Sequence, residues 1–491
     1  MSEIIASKLQ ILQHLQPMLS QVTNVQESTG SPLHLNSFSS CLLLLVDSVK
    51  KIGAQSSLSF WELIRHLICK LGAEPRQLSA SVMASTEEPA VITGQVSPVP
   101  PRSDHISFLE GHKLYVWGGC QSVNGRETFL PSDEIWLYDM ENGVWSRRHM
   151  GGEVPPVLSQ ACGAYLQGTL YIFGGCDING HTNMMYCVDL SGVEYSWRKV
   201  TDTMGGTPSP RVRHSCWVYR NRLIYFGGYG CKTVREINNS KSFMVDEASW
   251  ATIRSDFVQY WGWNNEVHMF EPVSATWTEP LTLGQQPEAR ASHASATLGH
   301  RGYICGGLEI QTVDIHCLDL VTWTWTQIEL QTASLPRGRT LHTLTAISDD
   351  TLFLFGGLST SGEVLSDVWE FDTKTREWRE KDHAHKDKPR LWHSADKGRD
   401  GDVVIFGGSQ TYLFVMDSVA VLRSPSQNHC ADVLMFQTQP YSLSRLCEDC
   451  IGKHIFSVQE QVSCLPAKLQ KTIDKRISYF RGNAPNIHSH R

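Results

Sequence analysis

The chain has 491 residues, with 43 basic against 50 acidic side chains, a formal charge of −7 and 41 % hydrophobic content. That length is room for about two to four domains, and the apolar share is enough for a sizeable core, which excludes global disorder. The longest apolar run, Cys41 to Val46, is far short of the roughly 20 residues a membrane helix needs, and no long basic stripe marks a nucleic-acid ligand.

Taken in chain order, residues 1 to 82 read as a helical extension. Ile4, Ile11, Leu15, Met18 and Val22 form a stripe broken at Pro17, and Phe60, Leu63, Ile64, Leu67, Ile68 and Leu71 recur at helical spacing opposite Glu62, Arg65, His66 and Lys70. The opening MSEIIASKLQ lacks the basic region, apolar stretch and cleavage site of a secretory leader. The 14 cysteines are therefore expected as reduced thiols in the cytoplasm or nucleus. Met83, followed by ASTEEPAV, offers an internal start that would make the extension optional. Residues 83 to 101 read as a linker that includes an extended segment, Ala90 to Val96.

From residue 102 to 440 one pattern recurs. A Gly-Gly doublet follows an aromatic and aliphatic run six times, as LYVWGG, LYIFGG, LIYFGG, YICGG, LFLFGG and VVIFGG, at spacings of 56, 53, 79, 50 and 51 residues. The long interval holds an insertion between about Cys231 and Trp263. Arg-x-x-His stands before five of the doublets, at Arg102/His105, Arg211/His214, Arg290/His293, Arg339/His342 and Arg390/His393, and Val157 to Gln160 stands in its place in the second copy. Extended segments ending in Trp145, Trp197, Trp277, Trp325 and Trp378 follow. Each copy predicts four short strands, with the doublet at a close backbone approach and a positive-φ turn. A single such sheet cannot bury both faces, so radial stacking is the expected solution. The repeat resembles the kelch repeat, and six copies predict a mainly β fold, a six-bladed kelch β-propeller. After VVIFGG only Val433 to Gln439 reads as a further strand, so the last blade is expected to be one strand short and completed by Ala90 to Val96.

Residues 441 to 491 turn helical. Leu443, Cys447 and Ile451 share one helix face, and Leu465-Pro466-x-x-Leu469-x-x-x-Ile473 follows. The first resembles the BC box that binds elongin C, and the second resembles the cullin-2 box. Over about residues 100 to 475 the chain resembles the kelch domain-containing substrate receptors of cullin-2 RING ubiquitin ligases, in stretches such as CWVYRNRLIYFGGYGC, YWGWNNEVHMF, KPRLWH and FQTQPYSL.

That resemblance implies a non-catalytic receptor whose partners are elongin B, elongin C, cullin-2 and a RING subunit. Leu443, Cys447, Ile451, Leu465, Pro466 and Leu469 would face the ligase, and the propeller would capture a client's C-terminal tail, often ending in glycine. Capture of a carboxylate calls for guanidinium and hydroxyl donors in a partly dry cup. The residues implied for it are Arg213, Tyr229, Trp263, Arg339, Thr340 and Trp392. The chain departs from the family at Leu308, which replaces a loop arginine, at a deletion that removes a second, at Thr340-Leu341 in place of Ser-Trp, and at Cys120 in place of a tyrosine. Those losses predict weak binding of a diglycine end and a preference for bulkier apolar tails. No metal or cofactor is expected, because Cys447-x-x-Cys450 has no second ligand pair and the histidines repeat with the blades. A kelch scaffold outside any ligase is the alternative, and a kelch copper oxidase would need ligands converging on the axis.

Overall fold

The computed structural model describes residues 98–482, apart from 124–125, 239–241, 248–251, 255–256, 308–311, 333, 413, 418–419, 424–427, 454, 456–461 and 463–464. The chain divides into two units, Met1–Val91 and Ile92–Arg491, and every described residue belongs to the second. The helices expected in residues 1 to 82, the strand expected at Ala90 to Val96, and Leu308 lie outside the described residues.

Five antiparallel sets of four strands follow one another, the first two joined into one sheet where Val144–Gly152 pairs in parallel with Tyr195–Lys199. The first is Ile106–Glu110, Lys113–Trp117, Glu134–Asp139 and Val144–Gly152, and the second is Cys162–Leu166, Thr169–Phe173, Met185–Asp189 and Tyr195–Lys199. The third is Ser215–Tyr219, Arg222–Phe226, Val267–Glu271 and Thr276–Thr278, and the fourth is Ala294–Leu298, Arg301–Cys305, Ile315–Asp319 and Thr324–Gln327. The fifth is Thr343–Ala346, Thr351–Ser359, Val364–Asp372 and Glu377–Lys381. A sixth has three described strands, Ser394–Lys397, Val403–Phe406 and Val433–Phe436. Each first strand touches the first strand of the next sheet, and Ser394–Lys397 touches Ile106–Glu110, so the sheets close as the six blades of a propeller. The last strand is shorter than the Val433 to Gln439 read from sequence, and the sequence reading missed a hairpin, Phe414–Asp417 with Ala420–Arg423, between the second and third strands of that blade.

A second, finer closure runs around the axis. The third residue of each of the five Arg-x-x-His elements, and Gln160 in the second copy, where Leu158 rather than Val157 takes the arginine's place, donates its amide to the carbonyl of its counterpart one blade back: Gln160 to Asp104, Arg213 to Gln160, Ser292 to Arg213, Leu341 to Ser292, Trp392 to Leu341 and Asp104 to Trp392, at 2.9 to 3.3 Å. All six are left-handed, with φ from 53° to 61°. The second glycine of five doublets donates in the same way to the arginine carbonyl of the next blade, as Gly228 does to Arg290 at 2.9 Å and Gly408 to Arg102 at 2.8 Å. Glycine is required there. A Cβ on Gly119 would sit 2.5 Å from the Ser103 carbonyl oxygen and 2.8 Å from the His105 Cβ, at a φ of 87°.

The repeated side chains explain the pattern seen in sequence. In four blades the repeated tryptophan packs on the residue that precedes the doublet of the blade before it: Trp145 on Phe406, Trp197 on Trp117, Trp277 on Phe173 and Trp325 on Phe226, with ring centroids 5.0 to 5.3 Å apart. The repeated arginines are buried, and four meet a carboxylate on or just before the third strand: Arg211 with Glu266, Arg290 with Asp314, Arg339 with Asp367 and Arg390 with Asp432. The histidines stitch neighbouring blades. His293 Nε2 lies 2.8 Å from Ser215 Oγ, His393 Nε2 2.9 Å from Thr343 Oγ1, and His105 Nε2 2.8 Å from Ser394 Oγ across the seam between the last blade and the first. Burial, and after it the neighbouring arginine, holds each of the five repeated histidines well below its usual range, with His293 and His393 at about 3.

Beyond the last blade, helices Leu443–Lys453 and Ala467–Gly482 pack on each other through Arg476, which meets Asp449 at 2.6 Å and stacks over Tyr479 and Phe480. They also dock on two blades. Arg445 reaches Asp400 at 3.3 Å and Tyr479 donates to Met435 Sδ in the sixth blade, while Lys475 and Arg476 hold Glu141 of the first.

Candidate functional site

First strands begin and second strands end at the same rim of the ring. The Arg-x-x-His turns and the hairpins after each Gly-Gly therefore share one face. The turns at Glu141 and Asp400, between other strand pairs, belong to the opposite face, where the C-terminal helices sit. A cleft of about 510 Å³ also opens on that opposite face, lined by the turn residues Leu298, His300, Arg301, Ser348, Asp349 and Lys397. It brings together no residue named for client capture.

On the hairpin face the six left-handed residues gather around the axis. Their order is Asp104, Gln160, Arg213, Ser292, Leu341 and Trp392. Two of the contacts join blades that are not neighbours. Arg213 of the third blade bonds to Asp104 of the first, Nη2 to Oδ2 at 3.2 Å, and its guanidinium lies 5.8 Å from the ring centroid of Trp392, on the diametrically opposite sixth blade. Those spans require the side chains to converge over the axis. The pair is largely dry, with 14 % of the Arg213 side chain and 9 % of Asp104 exposed. Trp392 in turn meets Tyr412 edge-on at 5.6 Å.

One side of this mouth is an aromatic wall built by the insertion. Tyr229–Thr233 and Phe257–Asn264 prolong the second and third strands of the third blade beyond the doublet, and Phe243–Val245 and Thr252–Arg254 pair onto them. The register sets Tyr229 opposite Trp263 and Cys231 opposite Trp261. Tyr229 meets Trp263 at 5.3 Å and Trp261 at 6.0 Å, and His181, from the hairpin of the second blade, meets Trp261 edge-on at 4.7 Å. Burial, with the nearby Arg213 charge adding to it, lowers His181 to about 4, so this imidazole is a neutral member of the wall. The Tyr229 hydroxyl donates to Asp246 at 2.9 Å.

The wall is anchored by charge. Lys232 and Arg211 converge on Glu266, and Asn264 accepts from Arg211 at 3.0 Å while donating to the Gly228 carbonyl at 3.1 Å. Burial would raise the Glu266 carboxyl, but the hydrogen bond from His268 and the charges of Arg211 and Lys232 hold it below the usual range.

Of the six residues named for capture of a tail, Arg213 and Trp392 are brought together at the mouth, and Tyr229 and Trp263 stand in the adjoining wall. Arg339 is not part of it. Its side chain is fully buried, with Nη1 and Nη2 on Asp367 at 2.6 and 2.7 Å, Nη1 also on the Gly356 carbonyl and Nε on the Arg337 carbonyl, the same role as Arg211 and Arg290. Thr340 pairs with Leu358 one residue before the ring position, which Leu341 occupies. Sequence reasoning missed Asp104, His181, Trp261 and Asp246. A signal for Asp104 was available: the third position changes from copy to copy, as the second does, inside a frame of repeated arginine and histidine, as expected where the frame is structural and the side chains between are free to be chosen for a surface.

At the other end, Arg445, Asp449 and Gly452 face the second helix and the propeller. By helical periodicity Leu443, Cys447 and Ile451 occupy the opposite side of Leu443–Lys453, and Leu446 beside them is 49 % exposed. Cys447 and Ile451 are half-buried, Leu465 and Leu469 are half-buried, Pro466 is exposed, and Ile473 is buried. Among the described residues, the cluster with metal-ligating groups close together is His112, Asp139 and Glu141 on the helix-bearing face, where Lys475 already engages Glu141.

The model of the KLHDC2/KLHL20/DRC7 kelch-repeats domain matches residues 82–257 and 255–408. Kelch domain-containing protein 1 of Homo sapiens is 44 % identical over 384 residues, which covers 77 % of this chain and 91 % of that protein. Kelch domain-containing protein 2 of Bos taurus is 34 % identical over 388 residues, covering 76 % and 90 %.

Proposed function

This chain belongs to the kelch-repeat family of kelch domain-containing proteins 1 and 2, and on that footing we propose that it is the substrate-recognition subunit of a cullin-2/elongin BC RING ubiquitin ligase. A kelch propeller is a protein-interaction fold. In this reading the propeller binds a client's C-terminal tail, and the ubiquitin chemistry is done by other subunits.

The observation that carries the proposal is the separation of the two ends. The charged and aromatic mouth lies on the hairpin face, while the Leu443–Lys453 helix is fixed to the opposite face through Arg445 and Asp449. The positions of Leu443, Cys447 and Ile451 are turned away from that anchorage, which supports a stripe kept for elongin C. Leu465, Pro466 and Leu469 would meet cullin-2, which carries the RING subunit. The described cysteines are free thiols, which supports work in the reducing cytoplasm or nucleus.

Affinity purification of the full chain tests this. Elongins B and C should co-purify and be lost with Leu443→Ala, since truncating a buried leucine at an interface costs about 2 kcal/mol or more. Replacing Leu465 and Pro466 should lose cullin-2 and keep the elongins. Absence of elongins from the wild-type chain, or their full retention by Leu443→Ala, would leave a kelch scaffold outside any ligase.

A further inference from the structure

We propose that Asp104 is an internal counter-carboxylate, seated on Arg213 where a client's terminal carboxylate would bind, so that a tail must displace or share it. The proposal rests on the reading of the mouth as a receptor for C-terminal tails.

Three observations carry it. Arg213 is the cation among the six ring residues, and it is bonded to Asp104 at 3.2 Å with both side chains largely buried. A carboxylate already in a partly dry site satisfies the guanidinium and opposes entry of a second negative charge. The ring itself does not need an acid at this place. Gln160, Ser292, Leu341 and Trp392 hold the same left-handed backbone and the same carbonyl-to-amide link, so the carboxyl group of Asp104 is superfluous to closure, and the cation it bonds is Arg213. Finally, Asp104 cannot be swung aside by its backbone. Its amide is fixed on the Trp392 carbonyl at 3.1 Å and its carbonyl on the Gln160 amide at 3.3 Å, so displacement has to be a side-chain rotation.

The position of Arg213 over the Trp392 ring bears on the outcome. A guanidinium that keeps a cation–π partner within about 6 Å retains a hold on its position when the carboxylate is removed. Loss of Asp104 should therefore expose a preformed carboxylate site rather than release the arginine. The internal acid acts as a filter: tails that bring only a carboxylate are disfavoured, and tails whose penultimate side chains also use the Tyr229, Trp261 and Trp263 wall recover the difference.

The test uses the full chain and acetylated decapeptides ending in Gly-Gly, Ala-Leu or Ala-Phe, each as free acid and as amide, titrated by fluorescence anisotropy. Asp104→Asn is the variant, because asparagine tolerates the left-handed backbone and removes only the charge. Free acids should bind Asp104→Asn about tenfold or more tighter than wild type, with the amides unchanged, since close charge pairs couple at that scale or above. Adding Arg213→Gln should erase the gain. If wild type prefers acids over amides but Asp104→Asn binds acids no better, the counter-carboxylate is overturned and tail reading stands. If neither protein distinguishes acid from amide, the mouth reads no terminus and both are overturned.

Discussion

Acidification should open this propeller from inside, because five histidines are folded into it uncharged. His105, His214, His293, His342 and His393 are all held well below the usual 6.5, chiefly by burial. An unfolded histidine takes up a proton near pH 6.5 and a folded one here does not, so below that pH the unfolded state binds more protons. The stability they contribute is fully present above about pH 6.5 and is lost as pH falls toward about 3, where His293 and His393 titrate in the fold. At pH 5.5 the loss is on the order of 1 kcal/mol for each of His293 and His393, whose folded values of about 3 leave them uncharged there, and the other three, depressed in the same direction, add to it. Urea unfolding followed by tryptophan fluorescence at pH 7.5, 6.5 and 5.5 measures this directly. The midpoint should fall steeply over the last interval, and His293→Gln should reduce the pH slope by about one proton's share. A midpoint that stays level from pH 7.5 to 5.5 would refute the reasoning.

Two further changes test the packing. Gly119→Ala meets backbone oxygen at 2.5 Å, whereas Gly111→Ala, at φ 62°, meets nothing within 4 Å; thermal melting should show the first costing several kcal/mol and the second only about 1. At the seam, burial raises Asp396 to about 6, partly offset by the Ser107 hydroxyl. A carboxyl raised in the fold gives stability at low pH that is lost as pH climbs through about 6, so Asp396→Asn should stabilise the protein at pH 7.5 by up to about 3 kcal/mol, with the gain shrinking toward pH 5. An equal effect at both pH values would mean that charge is not the cause.

The blade count was legible because each repeated feature answers a local demand: the doublet a close approach, the tryptophan a neighbour's strand end, the arginine an acid on or just before the third strand. What sequence could not show was which copy of a repeated residue departs from the common duty. Arg339 reads like a binding residue by its neighbours Thr340 and Leu341, yet its depth commits it to Asp367 as Arg290 is committed to Asp314. Arg213 and Asp104 lie 109 residues apart, and their meeting depends on ring closure, which no spacing along the chain encodes. The hairpin Phe414–Asp417 with Ala420–Arg423 was passed over because its strands are four residues each, too short to show a period.

The helices after the last blade hold Asp400 of the sixth blade and Glu141 of the first, so they lie across the joint where the ring begins and ends. Among the described residues the first and last blades meet at that joint through contacts between Ser394–Lys397 and Ile106–Glu110, where a circular array unzips most easily. The two helices act as a clasp over it, and their removal should speed unfolding more than it changes native contacts elsewhere. The clasp also links assembly to endurance. Any partner that grips these helices adds its binding free energy to the closed ring, so the protein should outlast its unassembled form in proportion to how much of that partner is present.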